Sequence, residues 1–116
     1  MAGERVLVCG GSGFLGSHVA DALSENKYRV RIFDQVHSPY LRGDQEMVCG
    51  DLMDLPALVR AAADCSYVYN FAGIADIDDA KNRPVDTVQL NVLGNMHALE
   101  AARNAGVKVE RVKLIN

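Results

Sequence analysis

The sequence predicts an α/β protein with a doubly wound parallel sheet of about five strands in the order 3-2-1-4-5. Two observations carry this. The apolar pattern switches repeatedly between short continuous runs and helical periods, as strands alternating with crossover helices require. A glycine-rich segment, Gly10 to Gly16, separates the first such run from the first helical period.

The elements follow in chain order. Arg5-Val6-Leu7-Val8-Cys9 is a nearly continuous apolar run ending in glycines, as suits a strand buried on both faces. Phe14, Leu15, Val19, Ala20 and Leu23 recur at helical spacing, with polar Ser17, His18, Asp21 and Ser24 between them. Arg29 to Phe33 alternates as a second strand, and Met47-Val48-Cys49 is a short third. Leu55 to Ala63 is a helix, with Asp54 placed to cap it and Pro56 tolerated in its first turn. Ser66 to Phe71 is β-rich and reads as a fourth strand. A long helix is expected from Val85 to Asn104, with Val85, Val88, Val92, Met96, Leu99 and Ala102 as its apolar stripe and Gly106 at a left-handed C-terminal cap. Lys108 to Ile115 completes the set as a fifth strand. With no repeat, low-complexity tract or linker, residues 1–116 read as one domain.

Composition narrows the function class. The 116 residues are 49% hydrophobic and 23% charged, an ordinary soluble balance. A net charge of -3, a pI near 5.5 and no Lys/Arg run argue against a nucleic-acid partner. The start, Met1 to Arg5, passes directly into an apolar run that glycines interrupt, which argues against a signal peptide or a membrane span. Cys9, Cys49 and Cys65 are odd in number and far apart, so they read as small buried hydrophobes in a reducing cytoplasm. His18, His37 and His97 are equally scattered, and no metal site is expected.

The chemistry concentrates in Gly10-Gly11-Ser12-Gly13-Phe14-Leu15-Gly16. The first glycine of this G-x-x-G-x-x-G spacing permits a tight strand-to-helix turn. The middle one removes a Cβ where a phosphate would approach, and the last lets the helix pack on the strand. The helix start then offers N–H groups and partial positive charge to a pyrophosphate, the mark of a Rossmann-type dinucleotide site. A P-loop would need Lys after the final glycine, where Ser17 stands, and a nucleophile elbow around Ser12 would need glycine at Phe14. Asp34 ends the second strand about 18 residues beyond Gly16, where a carboxylate accepts both adenosine ribose hydroxyls and repels a 2′-phosphate. Gln35, Val36 and His37 follow it with no arginine, so NAD is favoured over NADP.

Together these residues resemble the extended short-chain dehydrogenase/reductase family, the NAD-dependent epimerase/dehydratases acting on nucleotide sugars. The resemblance covers nearly the whole chain. Besides the glycines and Asp34 it rests on Gly50-Asp51-Leu52-x-Asp54, Asn70-Phe71-Ala72-Gly73, and Asn91-Val92-Leu93-Gly94 running into Ala98-Leu99-Glu100-Ala101-Ala102-Arg103. It implies that Asp51 bonds the adenine amino group, with Leu52 against the ring. It implies that Phe71, Ala72 and Gly73 border the cofactor's phosphate and ribose, and that Asn91 supports the active-site backbone and water. Phe14 and Leu15 belong to the same cofactor-binding turn. It also implies a homodimer through the helix 85–104 and a nucleotide-sugar substrate for the full-length enzyme.

The sequence departs from the family pattern at several points. The family more often has histidine at Asn70 and alanine or another small residue at Gly73, and its fifth strand is less polar than Val109 to Asn116. The family's Tyr-x-x-x-Lys pair, in which tyrosine is the general acid/base and lysine lowers its pKa, is absent. Tyr28, Tyr40, Tyr67 and Tyr69 are followed at the fourth position by Ile32, Asp44, Phe71 and Gly73. The family's serine would lie beyond Asn116. The expectation is therefore the cofactor-binding part of a longer epimerase or dehydratase, without turnover of its own. A related reductase or hydroxysteroid-type dehydrogenase, or a non-catalytic dinucleotide-sensing module, remain the alternatives.

Overall fold

A computed structural model describes residues 3–73 and 81–115. It contains a five-stranded sheet in the order β3-β2-β1-β4-β5, every neighbouring pair parallel. The strands are β1 (Arg5–Cys9), β2 (Arg29–Asp34), β3 (Gln45–Cys49), β4 (Tyr67–Asn70) and β5 (Val112–Leu114). The helices are α1 (Phe14–Glu25), α2 (Leu55–Ala62), α3 (Pro84–Val88) and α4 (Gly94–Asn104). A π-helical turn, Gln89–Leu93, runs between α3 and α4. The expected order and connectivity are borne out.

Strand alternation divides the core between the two faces of the sheet. Val6, Val8, Val30 and Ile32 pack with Ala20 of α1 on one face. Leu7, Cys9, Phe33 and Val68 pack on the other with Leu58 of α2 and Ala98, Ala101 and Ala102 of α4. The cap of α2 is as expected, the Asp54 carboxylate accepting the Ala57 N–H at 3.2 Å. Gly106 follows α4 in the left-handed region, at φ 75°.

Several details differ from the sequence expectation. The stripe on the last helix faces away from the sheet: Val85, Val88, Val92, Met96 and Leu99 are all exposed, and Ala102 alone is buried. The sheet side is lined by small residues because the helix lies close. A Cβ on Gly94 would stand 2.6 Å from Leu52 Cδ2. In α1, likewise, Phe14 and Leu15 are exposed whereas Gly16, Ser17, Ala20 and Ser24 are buried. The buried serines remain hydrogen-bonded, Ser17 Oγ to the Phe14 carbonyl at 2.9 Å and Ser24 Oγ to the Gln45 amide at 3.1 Å. Cys9 and Cys65 are buried as expected, but Cys49 is exposed, since β3 is an edge strand with β2 as its single partner. The fifth strand is shorter than 108–115. Val109–Arg111 form a 3₁₀ turn, because only Val68 to Asn70 offer β5 a pairing register.

A buried cation at the opposite end of the sheet from the glycine turn ties β2 to α2. Arg31 donates to the Ala61 carbonyl at 2.5 Å, to Asp64 Oδ1 at 2.6 Å and to Glu46 Oε2 at 3.1 Å, and Arg5 pairs with the same Asp64. Burial of a guanidinium requires this degree of pairing.

Candidate functional site

The chain leaves β1 in one direction to reach β2 and β3 and in the other to reach β4 and β5. The ends of the strands on either side of this switch therefore diverge and open a crevice. A cleft of about 290 Å³ lies there. Its floor is Cys9, Gly10 and Gly13; Phe33, Asp34, Gln35 and Val36 form one flank with Gly50 and Leu52. Phe71, Ala72 and Gly73 form the other, joined by Leu90 from the π turn.

The three glycines have three different reasons to be glycine. Gly10 has φ 76°, and a Cβ there would lie 2.6 Å from the Ala72 backbone nitrogen. Gly16 is packed against the turn itself, its Cβ falling 2.3 Å from the Gly10 carbonyl oxygen. Gly13 is different. It is the N-cap of α1 in extended backbone (φ -80°, ψ 175°), and a Cβ there would meet a single neighbour, the Gly10 carbonyl oxygen, at an ordinary 3.5 Å. The protein's own packing does not require glycine at 13, so the empty space there belongs to the cleft. No side chain caps this helix start and its first turn holds no acidic residue, so nothing within the helix itself offsets the positive end of its dipole.

Asp34 is half-buried at the end of β2. Its Oδ2 accepts the Ser12 N–H at 3.1 Å, and its Oδ1 accepts the Val36 N–H at 3.3 Å. Its carbonyl accepts the Gly50 N–H at 2.9 Å, which brings the end of β3 to the same rim. Beyond Gly50, Asp51 is exposed and uses Oδ1 to accept the Met53 N–H at 2.9 Å, shaping the turn that presents buried Leu52 to the cleft. The Leu52 carbonyl lies 2.9 Å from His97 Nδ1 on α4. Leu52 thus forms a fixed wall.

On the other flank, Asn70 is fully buried. Its side-chain oxygen accepts the Ala72 N–H at 3.0 Å, and its amide donates to Asn95 Oδ1 at 2.7 Å. Asn95 in turn donates to the Asn91 carbonyl at 2.9 Å. This run of amides ties the end of β4 to the π turn.

Of the residues singled out from sequence, Gly10, Gly13, Asp34, Gln35, Leu52, Phe71, Ala72 and Gly73 therefore come together around one cleft. Phe14, Asp51 and Asn91 are chain neighbours of lining residues and Gly16 packs on Gly10, but none of these, nor Leu15, lines the cleft itself. Cys9, Phe33, Val36, Gly50 and Leu90 complete the lining and were not singled out as site residues. Gly50 carried a signal in its motif: a Cβ there would strike the Phe33 ring at 2.7 Å. Leu90 carried none, since its exposure to the cleft depends on the π turn.

Two side chains, Cys9 and Asp34, set the electrostatics of the cleft. Burial, with smaller contributions from Cys65 and Asp34, pushes the Cys9 thiol up to about 12, so it is a neutral wall atom. Asp34 is the one lining carboxylate among the described residues, and it faces the space beside the uncapped helix start. Among the described residues no three His, Cys, Asp or Glu side chains are grouped to hold a metal, and no helix is long and apolar enough to cross a membrane. The arrangement suits a ligand with an anionic centre over the glycine turn and a diol against Asp34.

Known proteins are similar to this chain in sequence and in fold. The sequence profile of the NAD dependent epimerase/dehydratase family matches residues 6–116. The UDP-glucose 4-epimerase of Rhizobium leguminosarum bv. trifolii is 35% identical over 113 residues, covering 92% of this chain and 34% of that protein. The 3-beta-hydroxysteroid dehydrogenase of Mycolicibacterium neoaurum is 31% identical over 112 residues, covering 90% of this chain and 30% of that protein. The crystal structure of UDP-glucose 4-epimerase from Brucella ovis in complex with NAD superimposes with a TM-score of 0.83 at 30% identity, covering 90% of this chain and 34% of that one. The chain spans about a third of the length of the curated relatives it matches. With that profile matched over nearly its whole length, the chain belongs to the NAD dependent epimerase/dehydratase family.

Proposed function

We propose that the cleft binds NAD and that the chain is the cofactor-holding part of a nucleotide-sugar 4-epimerase. The observation that carries this reading is the pairing of Gly13, whose missing side chain the protein itself does not need, with a carboxylate held at the end of β2. In this reading Gly10, Gly13 and Gly16 take the pyrophosphate with the start of α1, flanked by Phe14 and Leu15. Asp34 and Gln35 take the adenosine ribose, and Asp51 and Leu52 take the adenine. Phe71, Ala72 and Gly73 border the nicotinamide half, and Asn91 supports the backbone there. A 2′-phosphate would bring like charge against Asp34, so NAD is preferred over NADP. NAD when bound supplies a carbon that accepts a hydride from a sugar and returns it. This chain's residues hold the cofactor, exclude water through Leu52 and Leu90, and keep the Cys9 thiol neutral beneath it.

The names of the epimerase relatives and the NAD in the Brucella structure support this reading. The hydroxysteroid dehydrogenase relative supports a second one, in which the cofactor is released each cycle. The full-length protein given NAD and UDP-glucose separates them. Interconversion of the sugar with no net change in NADH absorbance is the expected result. Net NADH consumption with a carbonyl substrate, and no sugar interconversion, would favour the dehydrogenase. The exposed stripe Val85, Val88, Val92, Met96 and Leu99 supports self-association of two copies through α3 and α4. Val92→Glu should then shift the sedimentation coefficient to that of a monomer.

A further inference from the structure

The preference for one dinucleotide over the other rests, in the reading above, on the Asp34 carboxylate. A carboxylate at a half-exposed strand end rotates freely unless something holds it, and one that can swing aside repels a 2′-phosphate weakly. What holds Asp34 is a closed set of three hydrogen bonds between two loops. The Ser12 N–H donates to Oδ2 at 3.1 Å, the Val36 N–H donates to Oδ1 at 3.3 Å, and the Ser12 hydroxyl donates to the Val36 carbonyl at 2.5 Å. The glycine turn can reach across because Gly11 sits down on β2, where a Cβ would lie 2.8 Å from Ile32 Cγ2.

Each carboxylate oxygen accepts one backbone bond and keeps lone-pair capacity for a ribose hydroxyl. Two of the three bonds are made by backbone donors to the carboxylate. The third, the shortest, comes from a side chain that touches neither carboxylate oxygen with its hydroxyl. It fixes the turn that carries the Val36 N–H, and through that N–H the orientation of Asp34.

We propose that Ser12 is a specificity-positioning residue: its hydroxyl locks the 34–36 turn so that Asp34 cannot swing away from a 2′-phosphate. This rests on the reading of the cleft as a dinucleotide site. The lock makes rejection of NADP a property of a fixed charge, and its removal allows the carboxylate to relax outward.

The test is calorimetric titration of the protein with NAD and with NADP, for wild type, Ser12→Ala and Ser12→Thr. Losing one such hydrogen bond should lower the NADP-to-NAD ratio of Kd roughly fivefold in Ser12→Ala, NAD weakening and NADP tightening. Ser12→Thr, which keeps the hydroxyl, should restore the wild-type ratio. An unchanged ratio in a folded Ser12→Ala protein would overturn the inference and leave the site intact, as would an equal weakening of both cofactors, which marks a phosphate contact or a purely structural staple. If wild type binds neither cofactor, the reading of the cleft fails and the inference with it.

Discussion

Gly13→Ala separates binding from folding more sharply than any other change in the glycine turn. At Gly16 an added Cβ would overlap the Gly10 carbonyl oxygen at 2.3 Å, and at Gly10 it would combine a φ of 76° with a 2.6 Å approach to Ala72. Both are backbone collisions, and overpacking of this kind costs about 1–3 kcal/mol or more. At Gly13 the backbone is extended and the single contact is 3.5 Å, so alanine fits without strain. Replacing glycine by alanine stabilises by about 0.4–1 kcal/mol through the unfolded chain, but alanine is a poorer N-cap than glycine by about 1 kcal/mol, so the two effects on Tm largely offset. The same methyl projects into cleft space. Gly13→Ala should therefore melt within a few degrees of wild type and bind NAD at least roughly tenfold more weakly, a loss of about 1.4 kcal/mol. Differential scanning fluorimetry with and without NAD reads both quantities. A variant destabilised as strongly as Gly10→Ala or Gly16→Ala, or one that keeps wild-type affinity, would refute the division of roles among the three glycines.

Other expectations follow from single features. At pH near 8 a thiol reagent should label Cys49 rapidly and the other two cysteines only after unfolding, because burial pushes Cys9 up to about 12 and Cys65 up to about 11. Two fast-reacting thiols in the native protein would contradict the burial described. The Arg31 hydrogen bond, helped by the charges of Arg31 and Arg5 against a smaller opposing effect of burial, holds the Asp64 carboxyl below its usual range. Its folded pKa is then below its unfolded value near ~4, so its contribution to stability is present above that pH and lost as pH falls through the depressed value. Asp64→Asn should flatten the decline in Tm below about pH 4, and an unchanged slope would show that other carboxylates govern it. Asp54→Ala should destabilise by about 1 kcal/mol through loss of the bond from Ala57 N–H, visible as a lower Tm with NAD affinity unaffected.

The order of the sheet was legible because each buried strand is a short apolar run and each crossover has a helical period. Edges were less legible. Gln45 and Glu46 extend β3 beyond its apolar run, since a strand with one neighbour tolerates polar residues, one of which meets Arg31. The helices misled in a consistent way. Periodicity located an apolar face on α1 and on α3–α4, but the fully buried residues of these helices are glycine, alanine and serine, which allow close approach. The large residues, Phe14, Met96 and their neighbours, point elsewhere. At the site, glycine spacing and the aspartate at the end of β2 were readable because each answers a local backbone demand. Ser12, Val36, Leu90 and the Asn70–Asn95 pair were not, since their contacts cross 22 to 25 residues of sequence or depend on a π turn.

The central claim is that this cleft is built for NAD and discriminates through Asp34. Calorimetric titration of wild type and Asp34→Ala with NAD and NADP addresses it most directly. The account predicts that wild type binds NAD at least roughly tenfold more tightly than NADP, and that Asp34→Ala weakens NAD and erases the difference. Equal affinity of wild type for the two cofactors, or a preference that survives loss of the carboxylate, would contradict it.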